Sequence, residues 1–442
     1  CRKRGKIVLV GVVGLDLRRD DFYEKELTFQ VSCSYGPGRY SKNYEELGLD
    51  YPIEFVRWTE NRNFQAVLDL MLQKKIQVNS ISSSNYILDD AKKAYQELAI
   101  SNSLGIILNY KDEEIKRTIQ INNNLAKTGI NKPKVSFIGA GNYATRVLMP
   151  IFKKVGFDFE TIASKGGVSS TLFGEKYNFK SITTDINVVM KDKSDLVVIA
   201  TRHNKHAQQV CLALKNNKNV FVEKPLAITK ESLKDVEKAY KKSDKQLIVG
   251  FNRRFSPLIE KAKSLLDTIK SPKSFIATMN AGRVPLDHWT LDKEIGGGRI
   301  VGEACHYIDL LTFLSNSPIV EIKSISMGNE SNITKDTSCI SLRFKDGSIG
   351  VINYFSNGSK SYSKEKIKIF CEEKILEIDN FKQMKGYGWS NFNSKNNVYI
   401  NKGQEKMISS IYESISKGKA FPIDFNELVN VSKKSIEAED LH

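Results

Sequence analysis

The side chains best suited to chemistry in this sequence are a lysine and a histidine at the ends of predicted elements. Lys224 follows the apolar strand 220–222 and precedes Pro225, so the backbone leaves the sheet at its carboxyl edge, where open α/β sheets bind ligands. His306 lies on a helix predicted after the triple glycine 296–298. An ammonium group stabilises negative charge that develops on an oxygen, and an imidazole accepts a proton near neutral pH. The two side chains are therefore candidates for stabilising negative charge and for proton transfer.

Glu303 is the third candidate for this chemistry. It stands three residues before His306, and residues three apart are neighbours on a helix. We therefore expect the Glu303 carboxylate to orient the His306 imidazole. Taken one at a time, Lys224 also fits a lysine that extends to solvent from a strand end, and His306 fits a structural histidine among apolar neighbours.

A glycine-rich loop predicts a dinucleotide site. It follows the apolar strand 134–138 and runs into a predicted helix at 145–154, which is the context that the dinucleotide fingerprint requires. In that fingerprint the first glycine makes the turn, the second admits the pyrophosphate, and a small third residue keeps helix and strand close. The helix start then offers free N–H groups to phosphate. The residues are Gly139, Ala140, Gly141, Asn142, Tyr143 and Ala144.

The elements around these residues predict an α/β fold with two parts. Strands and helices alternate over residues 134–255, which is typical of a Rossmann doubly wound parallel sheet. Over 256–442 the pattern changes: 338–355 and 366–378 each read as a hairpin. We expect an α+β domain with a mainly antiparallel open sheet there.

The region from Val135 to the C-terminus resembles the glucose-fructose oxidoreductase and inositol dehydrogenase family (Gfo/Idh/MocA). The resemblance rests on the glycine loop and on the segments 200–206, 223–225 and 250–255. It implies that Lys224 contacts both a substrate hydroxyl and the cofactor, and that His306 is the catalytic histidine. The family's usual aspartate, four residues before the histidine, is Gly302 here, and Glu303 is its nearest replacement.

The resemblance also implies further contacts. Four residues are expected beside the cofactor: Thr201, Arg202, His206 and Glu223, with Arg202 standing where the family commonly has proline. Five residues form a polar and aromatic set that suits a sugar: Arg253, His288, Trp289, Arg299 and Asp309. Taken by itself, Trp289 also fits a position in the hydrophobic core or in an interface.

The choice of cofactor depends on the end of the second strand, 159–163. Family members that prefer NAD place an acid after this strand, whereas this sequence has Ser164 and Lys165. A hydroxyl and a lysine accept a 2′-phosphate instead. We therefore expect NADP as the cofactor, with NAD as the alternative.

Residues 1–110 resemble the C-terminal end of a medium-chain, zinc-type alcohol dehydrogenase. The segment opens into a predicted strand at 6–11 and continues with helical patterns at 64–72 and 88–98. The metal-binding part of that family has no counterpart here, so we predict no metal. The alternative is a helical and irregular extension of other ancestry. A polar stretch at 111–133 is expected to be a helix and linker.

Composition limits the other classes. The 442 residues carry 67 Lys and Arg against 51 Asp and Glu, a net charge of +16, but the lysines are dispersed among asparagines rather than clustered for nucleic acid. Six scattered cysteines suit a reducing cytoplasm, and no apolar run is long enough for a bilayer. We expect a cytoplasmic protein that binds neither nucleic acid nor membrane. The resemblance to the Gfo/Idh/MocA family implies that 256–442 is the substrate and oligomerisation domain, and that the chain forms a homo-oligomer through the sheet of this domain.

The sequence thus predicts an NAD(P)-dependent dehydrogenase or reductase that acts on a secondary alcohol of a sugar, nucleotide-sugar or cyclitol. Two alternatives stay open. One is a catalytically silent NAD(P)-binding sensor or scaffold, because the usual aspartate is missing. The other is a basic protein associated with nucleic acid, because of the net charge.

Overall fold

The computed structural model describes residues 1–33, 35–111, 116–121, 132–328 and 334–441. The chain divides into two units, Cys1–Ile115 and Lys116–His442. The first unit contains two separate parallel strand pairs, β1 with β2 and β3 with β4. Its elements are β1 (Lys6–Leu9), α1 (Arg19–Tyr23), β2 (Thr28–Val31), α2 (Lys42–Glu45), α3 (Glu60–Leu72), β3 (Ser82–Ile87), α4 (Ala91–Ile100) and β4 (Gly105–Asn109).

The first unit buries little of its apolar surface. Thr59 and Ala94 are its buried side chains within the described part of the chain, whereas Val12, Phe55 and Leu72 are almost fully exposed. The predicted helix at 64–72 lies inside α3, and the one at 88–98 begins with a short 3₁₀ turn before α4. Hydrophobic burial is the main stabilising contribution in a domain, so this unit gains little from its own packing.

The second unit begins with a seven-stranded sheet in the order β11-β10-β9-β6-β7-β8-β5. All neighbouring strands are parallel except β5, which pairs antiparallel with β8 at one edge. The strands are β5 (Thr118–Gln120), β6 (Lys134–Ile138), β7 (Asp158–Ala163), β8 (Ser181–Thr183), β9 (Leu196–Ile199), β10 (Asn219–Val222) and β11 (Leu247–Val249). The helices between them are α5 (Met149–Val155), α6 (Val168–Tyr177), α7 (Ile186–Lys191), α8 (His203–Lys215) and α9 (Lys230–Lys241).

The central strands follow from their sequence. The four side chains of β9 are all fully buried, as expected for a parallel strand covered by helices on both faces. The start of α9 follows from a capping box, in which Thr229 Oγ1 accepts a hydrogen bond from the Ser232 N–H over 3.1 Å. Helix α5 is preceded by a π-helical turn, Ala144–Leu148.

The order of strands places a switch point between β6 and β9. Connections from these two neighbouring strands lead to opposite sides of the sheet, which opens a crevice at their carboxyl ends. Strand β5 was not expected, because it lies in the stretch 111–133 that the sequence predicts as a helix and linker. Residues 112–115 and 122–131 of that stretch lie outside the described residues.

The C-terminal part holds an eight-stranded sheet in the order β13-β14-β15-β12-β16-β17-β18-β19, antiparallel except between β12 and β15. Its strands are β12 (Ser274–Asn280), β13 (Ile319–Met327), β14 (Thr334–Phe344), β15 (Ile349–Phe355), β16 (Glu365–Cys371), β17 (Lys374–Asp379), β18 (Gln383–Tyr387) and β19 (Ser394–Asn396). Its helices are α10 (Pro257–Leu266), α11 (Cys305–Ser315), α12 (Gln404–Lys417) and α13 (Phe425–Asp440), with a π-helical turn at Ile300–Ala304.

One face of this sheet is covered and the other is open in the single chain. Along β12 the side chains of Phe275, Ala277 and Met279 are buried, whereas Ile276 between them is 39% exposed. The alternation is typical of a sheet with helices on one side. The two predicted hairpins correspond to β14–β15 and β16–β17, and the predicted fold class is confirmed.

No helix in the described ranges has the length and apolar character needed to cross a membrane. Within the same ranges, no group of three or more His, Cys, Asp or Glu side chains is arranged to hold a metal ion.

Candidate active site

The glycine loop joins β6 to the π-helical turn before α5, at the switch point of the parallel sheet. Gly139 has φ +105°, and a Cβ there would lie 2.4 Å from the carbonyl oxygen of Ala200. Its N–H donates to the Ala163 carbonyl over 2.8 Å. Only glycine combines this backbone conformation with so close an approach between β6 and β9. The loop is thereby held between the ends of three strands.

A cavity of about 1850 Å³ opens over this loop. Most residues that the sequence assigns to the cofactor line it. They are Gly139, Ala140, Gly141, Asn142, Tyr143, Ala144, Ser164, Lys165, Thr201 and Arg202. Trp289 and Ile295, which precede the triple glycine, also line the cavity. The predicted cofactor loop and one predicted substrate residue thus face the same space.

Sequence reasoning missed a row of side chains on α8. Asn204, Lys205, Gln208 and Leu212 line the cavity as well. Asn204, Gln208 and Leu212 stand four residues apart, and residues four apart share one face of a helix. Because α8 follows β9, this spacing could have predicted that these side chains face the cofactor site. Thr201 is held nearby, because its hydroxyl donates to Gln209 Oε1 over 2.7 Å.

The cavity fits a dinucleotide in two respects. A Cβ built on Gly141 meets no heavy atom within 4 Å, so the loop leaves open space where a pyrophosphate approaches backbone. The Ser164 Oγ is buried and has no hydrogen-bond partner among the described residues, while the neighbouring Lys165 is exposed. A buried hydroxyl without a partner beside a lysine suits the polar ribose end of a nucleotide.

Lys224 connects the nucleotide domain to the helix that carries His306. It follows β10 directly, and its half-buried side chain donates from Nζ to the carbonyl oxygen of Gly302 over 2.6 Å. Gly302 lies in the π-helical turn before α11. This hydrogen bond fixes an ammonium group next to the turn that leads into His306.

His306 lies in the first turn of α11 and is 8% exposed. Its Nδ1 is buried and makes no hydrogen bond to any described residue, and the edge of Phe251 packs against the ring with centroids 6.2 Å apart. Burial lowers the pKa of His306 well below its ordinary value, and the positive charges of Arg253 and Lys224 lower it further. The imidazole is therefore neutral near pH 7 and free to accept a proton.

Glu303 does not orient His306 as the helical spacing predicts. Its carboxylate accepts hydrogen bonds from Arg299 Nε over 3.1 Å and from the Tyr354 hydroxyl over 2.9 Å. Residues 300–304 form a π-helical turn, which has more residues per turn than an α-helix, so side chains three apart are no longer aligned. Burial raises the pKa of Glu303, but Arg299 and Lys224 outweigh it and leave the pKa below its ordinary value.

Two residues predicted beside the cofactor are instead buried against backbone. His206 is fully buried, with Nδ1 2.7 Å from the Pro225 carbonyl and Nε2 3.1 Å from the Thr201 carbonyl. Glu223 packs beneath Gly250, where an added Cβ would lie 2.8 Å from Oε1. Burial raises the pKa of Glu223 to about 7, although Lys224 opposes the shift. His206 thus joins the segment after β10 to the end of β9, whereas Glu223 accepts a hydrogen bond from the adjacent Lys224 N–H over 3.3 Å and its Oε1 has no partner among the described residues. Neither residue lines the cavity.

Three of the predicted substrate residues are engaged in ion pairs. Asp309 is 0% exposed and pairs with Arg254, so its carboxylate cannot reach a substrate. Arg253 pairs with Glu365 over 2.8 Å and is also buried. Arg299 pairs with Glu303 and donates to the Gly282 carbonyl over 2.8 Å. Each charge is neutralised within the fold, as buried charges require.

The other two predicted substrate residues lie nearer to solvent. His288 is half-buried, and its Nδ1 lies 2.7 Å from the Thr290 hydroxyl. Trp289 packs against His203 with ring centroids 4.7 Å apart, and the Arg202 guanidinium lies 5.7 Å from its ring centroid. Trp289 therefore connects the segment before the triple glycine to the start of α8.

Comparison with known proteins gives one family match in the part with the parallel sheet and one in the C-terminal part. Residues 133–251 match the model of an oxidoreductase family with an NAD-binding Rossmann fold, and residues 259–377 match the GFO/IDH/MocA C-terminal domain. The chain is 27% identical over 218 residues to a myo-inositol 2-dehydrogenase of Thermotoga maritima, an alignment that covers 47% of this chain and 64% of that protein. It is 28% identical over 195 residues to a 1-carboxy-3-chloro-3,4-dihydroxycyclo hexa-1,5-diene dehydrogenase of Comamonas testosteroni, covering 43% and 49%.

The chain therefore spans less than two thirds of the length of these two curated relatives. Among solved structures, a levoglucosan dehydrogenase in complex with NADH and levoglucosan superposes with a TM-score of 0.63 at 18% identity, covering 70% of this chain and 97% of that one. The aldose-aldose oxidoreductase of Caulobacter crescentus complexed with glycerol gives 0.62 at 18% identity, with coverage of 70% and 97%. These likenesses show a shared fold.

Proposed function

We propose, on the premise that the chain belongs to the GFO/IDH/MocA oxidoreductase family over residues 133–251 and 259–377, that it catalyses NAD(P)-dependent oxidoreduction of a secondary alcohol. A nicotinamide cofactor bound in the cavity over the glycine loop supplies or accepts the hydride. The substrate class is a sugar, a nucleotide-sugar or a cyclitol. This choice is supported by curated relatives whose names describe dehydrogenases of an inositol and of a dihydroxylated ring.

The observation that carries the proposal is the hydrogen bond from Lys224 Nζ to the Gly302 carbonyl. It holds an ammonium group beside the turn that leads to His306, at the carboxyl edge of the parallel sheet. Lys224 stabilises the negative charge that develops on the substrate oxygen. His306, which is neutral because burial lowers its pKa, removes or returns the hydroxyl proton.

Glu303 has a supporting role in this scheme. Its carboxylate accepts hydrogen bonds from Arg299, which directly precedes the same turn, and from Tyr354 on β15. Arg299 is buried and also pairs with Asp336 over 3.5 Å, so Glu303 shares with Asp336 the neutralisation of this charge. Glu303 therefore acts on the shape of the turn that presents Gly302 and His306.

The cofactor is NADP in this proposal, with NAD as the alternative. Ser164 follows β7 with a buried Oγ that has no partner among the described residues, and Lys165 follows it. A hydroxyl and an ammonium group are donors for a 2′-phosphate, whereas an acid at this position would bind the ribose hydroxyls.

Trp289 and His288 are the substrate contacts that retain support. Trp289 lines the cavity, and the half-buried His288 is the residue before Trp289 in the chain. An aromatic face with a neighbouring ring nitrogen suits a hydroxylated ring.

Two further parts of the proposal concern the state of the protein. The open face of the eight-stranded sheet, with Ile276 39%, Ile349 55% and Phe370 37% exposed, supports a homo-oligomer formed through this face. All six cysteines are free, which supports a reducing cytoplasm. Size-exclusion chromatography with light scattering tests the first point, and a monomer that persists at high concentration contradicts it.

We also propose that residues 1–110 derive from the end of a medium-chain dehydrogenase. Two parallel strand pairs with little buried surface support this origin. The test is superposition of β1 to β4 on the last nucleotide-domain strands of a solved medium-chain dehydrogenase. A different strand order there contradicts the proposal.

A substrate panel tests the main proposal. The protein is incubated with NADP⁺ or NAD⁺ and with free sugars, cyclitols and nucleotide-sugars, and the absorbance of the reduced nicotinamide is followed. We expect turnover with at least one class. Cofactor binding without turnover of any compound would indicate the sensor or scaffold, and salt-sensitive binding to DNA or RNA would indicate the nucleic-acid alternative.

A further inference from the structure

His203 is a buried histidine in the first turn of α8 with no assigned role. It is 7% exposed, and its Nδ1 lies 2.7 Å from the carbonyl oxygen of Gly296. A carbonyl oxygen only accepts hydrogen bonds, so Nδ1 carries the proton and donates it. The ring therefore fastens the start of α8 to the triple glycine.

The same ring fills the space beside Gly302. A Cβ built on Gly302 would lie 2.9 Å from Cε1 of His203 and 3.4 Å from its Nδ1. Real Cβ atoms essentially never approach another atom within 3.0 Å, so the 2.9 Å distance to Cε1 excludes a side chain at position 302 unless the ring moves. Gly302 is the residue whose carbonyl accepts the hydrogen bond from Lys224. His203 thus contacts the residue that fixes the ammonium group.

The ring has little freedom to move away. Trp289 packs edge-on against it with centroids 4.7 Å apart, and the Arg202 guanidinium lies over Trp289. The next residue of α8, Asn204, donates its N–H to the Ile295 carbonyl over 3.0 Å. Two successive residues of α8 therefore hold the segment that runs from Trp289 into the triple glycine.

The ring is also electrically neutral. Burial lowers the pKa of His203 to about 3, and the charge of Lys224 contributes to this shift, although the bond to Gly296 opposes it. A neutral ring places no second positive charge next to Lys224, and its Nε2 keeps a lone pair. The Lys224 ammonium therefore has no cationic neighbour on this side.

We propose that His203 is a positioning residue, which holds Gly296 through Nδ1 and Gly302 through ring contact and thereby fixes the carbonyl that aligns Lys224. The inference rests on the proposed function, since it assigns Lys224 to the reacting oxygen. It adds a residue from α8 to the set that determines the geometry of the reaction. It also explains why position 302 has no side chain: the imidazole occupies that space.

The test is a pair of substitutions at the two contacting positions. Gly302→Ala introduces the Cβ that the ring excludes, and we expect turnover to fall about 10-fold to 100-fold, the loss typical of small misplacements in an active site. His203→Asn keeps an N–H donor for Gly296 but removes the ring atoms next to Gly302. The double variant should therefore recover to within about threefold of His203→Asn alone.

A second measurement separates this proposal from the proposed function. Melting temperatures of the four proteins are recorded without substrate or cofactor. We expect Gly302→Ala to lower the melting temperature more in the wild-type background than in the His203→Asn background. This coupling reports the contact even when no sugar is turned over. Equal effects of Gly302→Ala in both backgrounds, in melting and in turnover, would overturn the inference.

His203→Phe completes the set in case Gly302→Ala does not fold. Phenylalanine keeps a ring beside Gly302 and Trp289 but cannot donate to Gly296. We expect a turnover loss of about tenfold with a cofactor affinity within about threefold of wild type. Wild-type turnover in His203→Phe would contradict the part of the proposal that rests on the Nδ1 hydrogen bond.

Discussion

The Lys224 ammonium group donates a 2.6 Å hydrogen bond to the main-chain carbonyl of Gly302. The bond joins the end of β10 in the parallel sheet to the π-helical turn before α11. Together with the hydrogen bonds of His203 and Asn204 to the segment before the helix, this contact joins the cofactor domain to the helix with His306. The contact uses backbone, so the amino-acid type at position 302 does not reveal it.

Replacing Lys224 tests its role in charge stabilisation. Lys224→Ala removes the only group that we assign to the developing negative charge, and we expect turnover to fall roughly 10²-fold to 10³-fold. Steady-state kinetics on the identified substrate measure the loss. Lys230→Ala is the control, because that lysine is a partly exposed surface residue on α9 whose ion pair is with Asp440. Turnover of Lys224→Ala within a few-fold of wild type contradicts the mechanism.

The fold was predictable where local signals are strong. The apolar run of β9 and the glycine loop after β6 both predict their structures, because a buried parallel strand is apolar throughout and a tight phosphate-binding turn needs glycine. Strand β5 escaped prediction because three residues in a polar stretch carry no periodicity. Its strand character comes from pairing with β8.

The site was less predictable because its residues pair with side chains that are distant in sequence. Glu303 pairs with Tyr354 on β15, and Arg253 pairs with Glu365 on β16. Neither pairing follows from helical or strand spacing. The π-helical turn also changes the spacing near His306, so the expected Glu303 contact fails for a local reason.

The new assignment of Glu303 predicts a coupling with Tyr354. Tyr354→Phe removes one hydrogen bond to a carboxylate, and we expect a loss of roughly 1.5–3 kcal/mol in the free energy of unfolding. Because the hydroxyl contacts Glu303 and not His306, turnover should stay within about threefold. Urea unfolding of Tyr354→Phe, Glu303→Gln and the double variant measures the coupling. Additive losses would show that the two side chains do not share this bond in solution.

The pKa of His306 predicts the acid limb of the pH profile. Burial, Arg253 and Lys224 all disfavour the imidazolium form, so the group stays neutral to well below pH 6.5. We expect kcat/KM for substrate oxidation to be independent of His306 protonation near neutrality and to fall only in more acidic buffer. Cofactor affinity, measured across the same pH range, serves as the control. An acid limb centred at or above pH 6.5 contradicts this reading.

Ser164 tests the choice of cofactor. Ser164→Asp replaces a buried hydroxyl with a carboxylate that repels a 2′-phosphate and accepts hydrogen bonds from the ribose hydroxyls. We expect the ratio of kcat/KM values for NADP and NAD to shift toward NAD by about tenfold or more, the worth of one charge-assisted hydrogen bond. An unchanged ratio would mean that Ser164 does not contact the cofactor ribose.

The last prediction concerns Glu365, whose buried carboxylate forms ion pairs with Arg253 and Lys402. Burial raises its pKa, but Arg253 and Lys402 outweigh burial and lower the pKa to about 2 from an ordinary value of 4.5. A folded-state pKa below the unfolded one stabilises the fold above the unfolded value, and the gain is lost as the pH falls toward the folded value. The shift contributes at most about 3 kcal/mol to the free energy of unfolding at neutral pH, because burial also lowers the pKa of Lys402 and this offsets part of the gain.

Urea unfolding between about pH 6 and pH 3 should therefore show Glu365→Gln less stable than wild type by roughly 3–5 kcal/mol near neutrality, with the difference shrinking in acid. Glu413→Gln, at a side chain that is 68% exposed, should leave the pH dependence unchanged. A constant difference between wild type and Glu365→Gln across this range would mean that the Glu365 pKa is not depressed by folding.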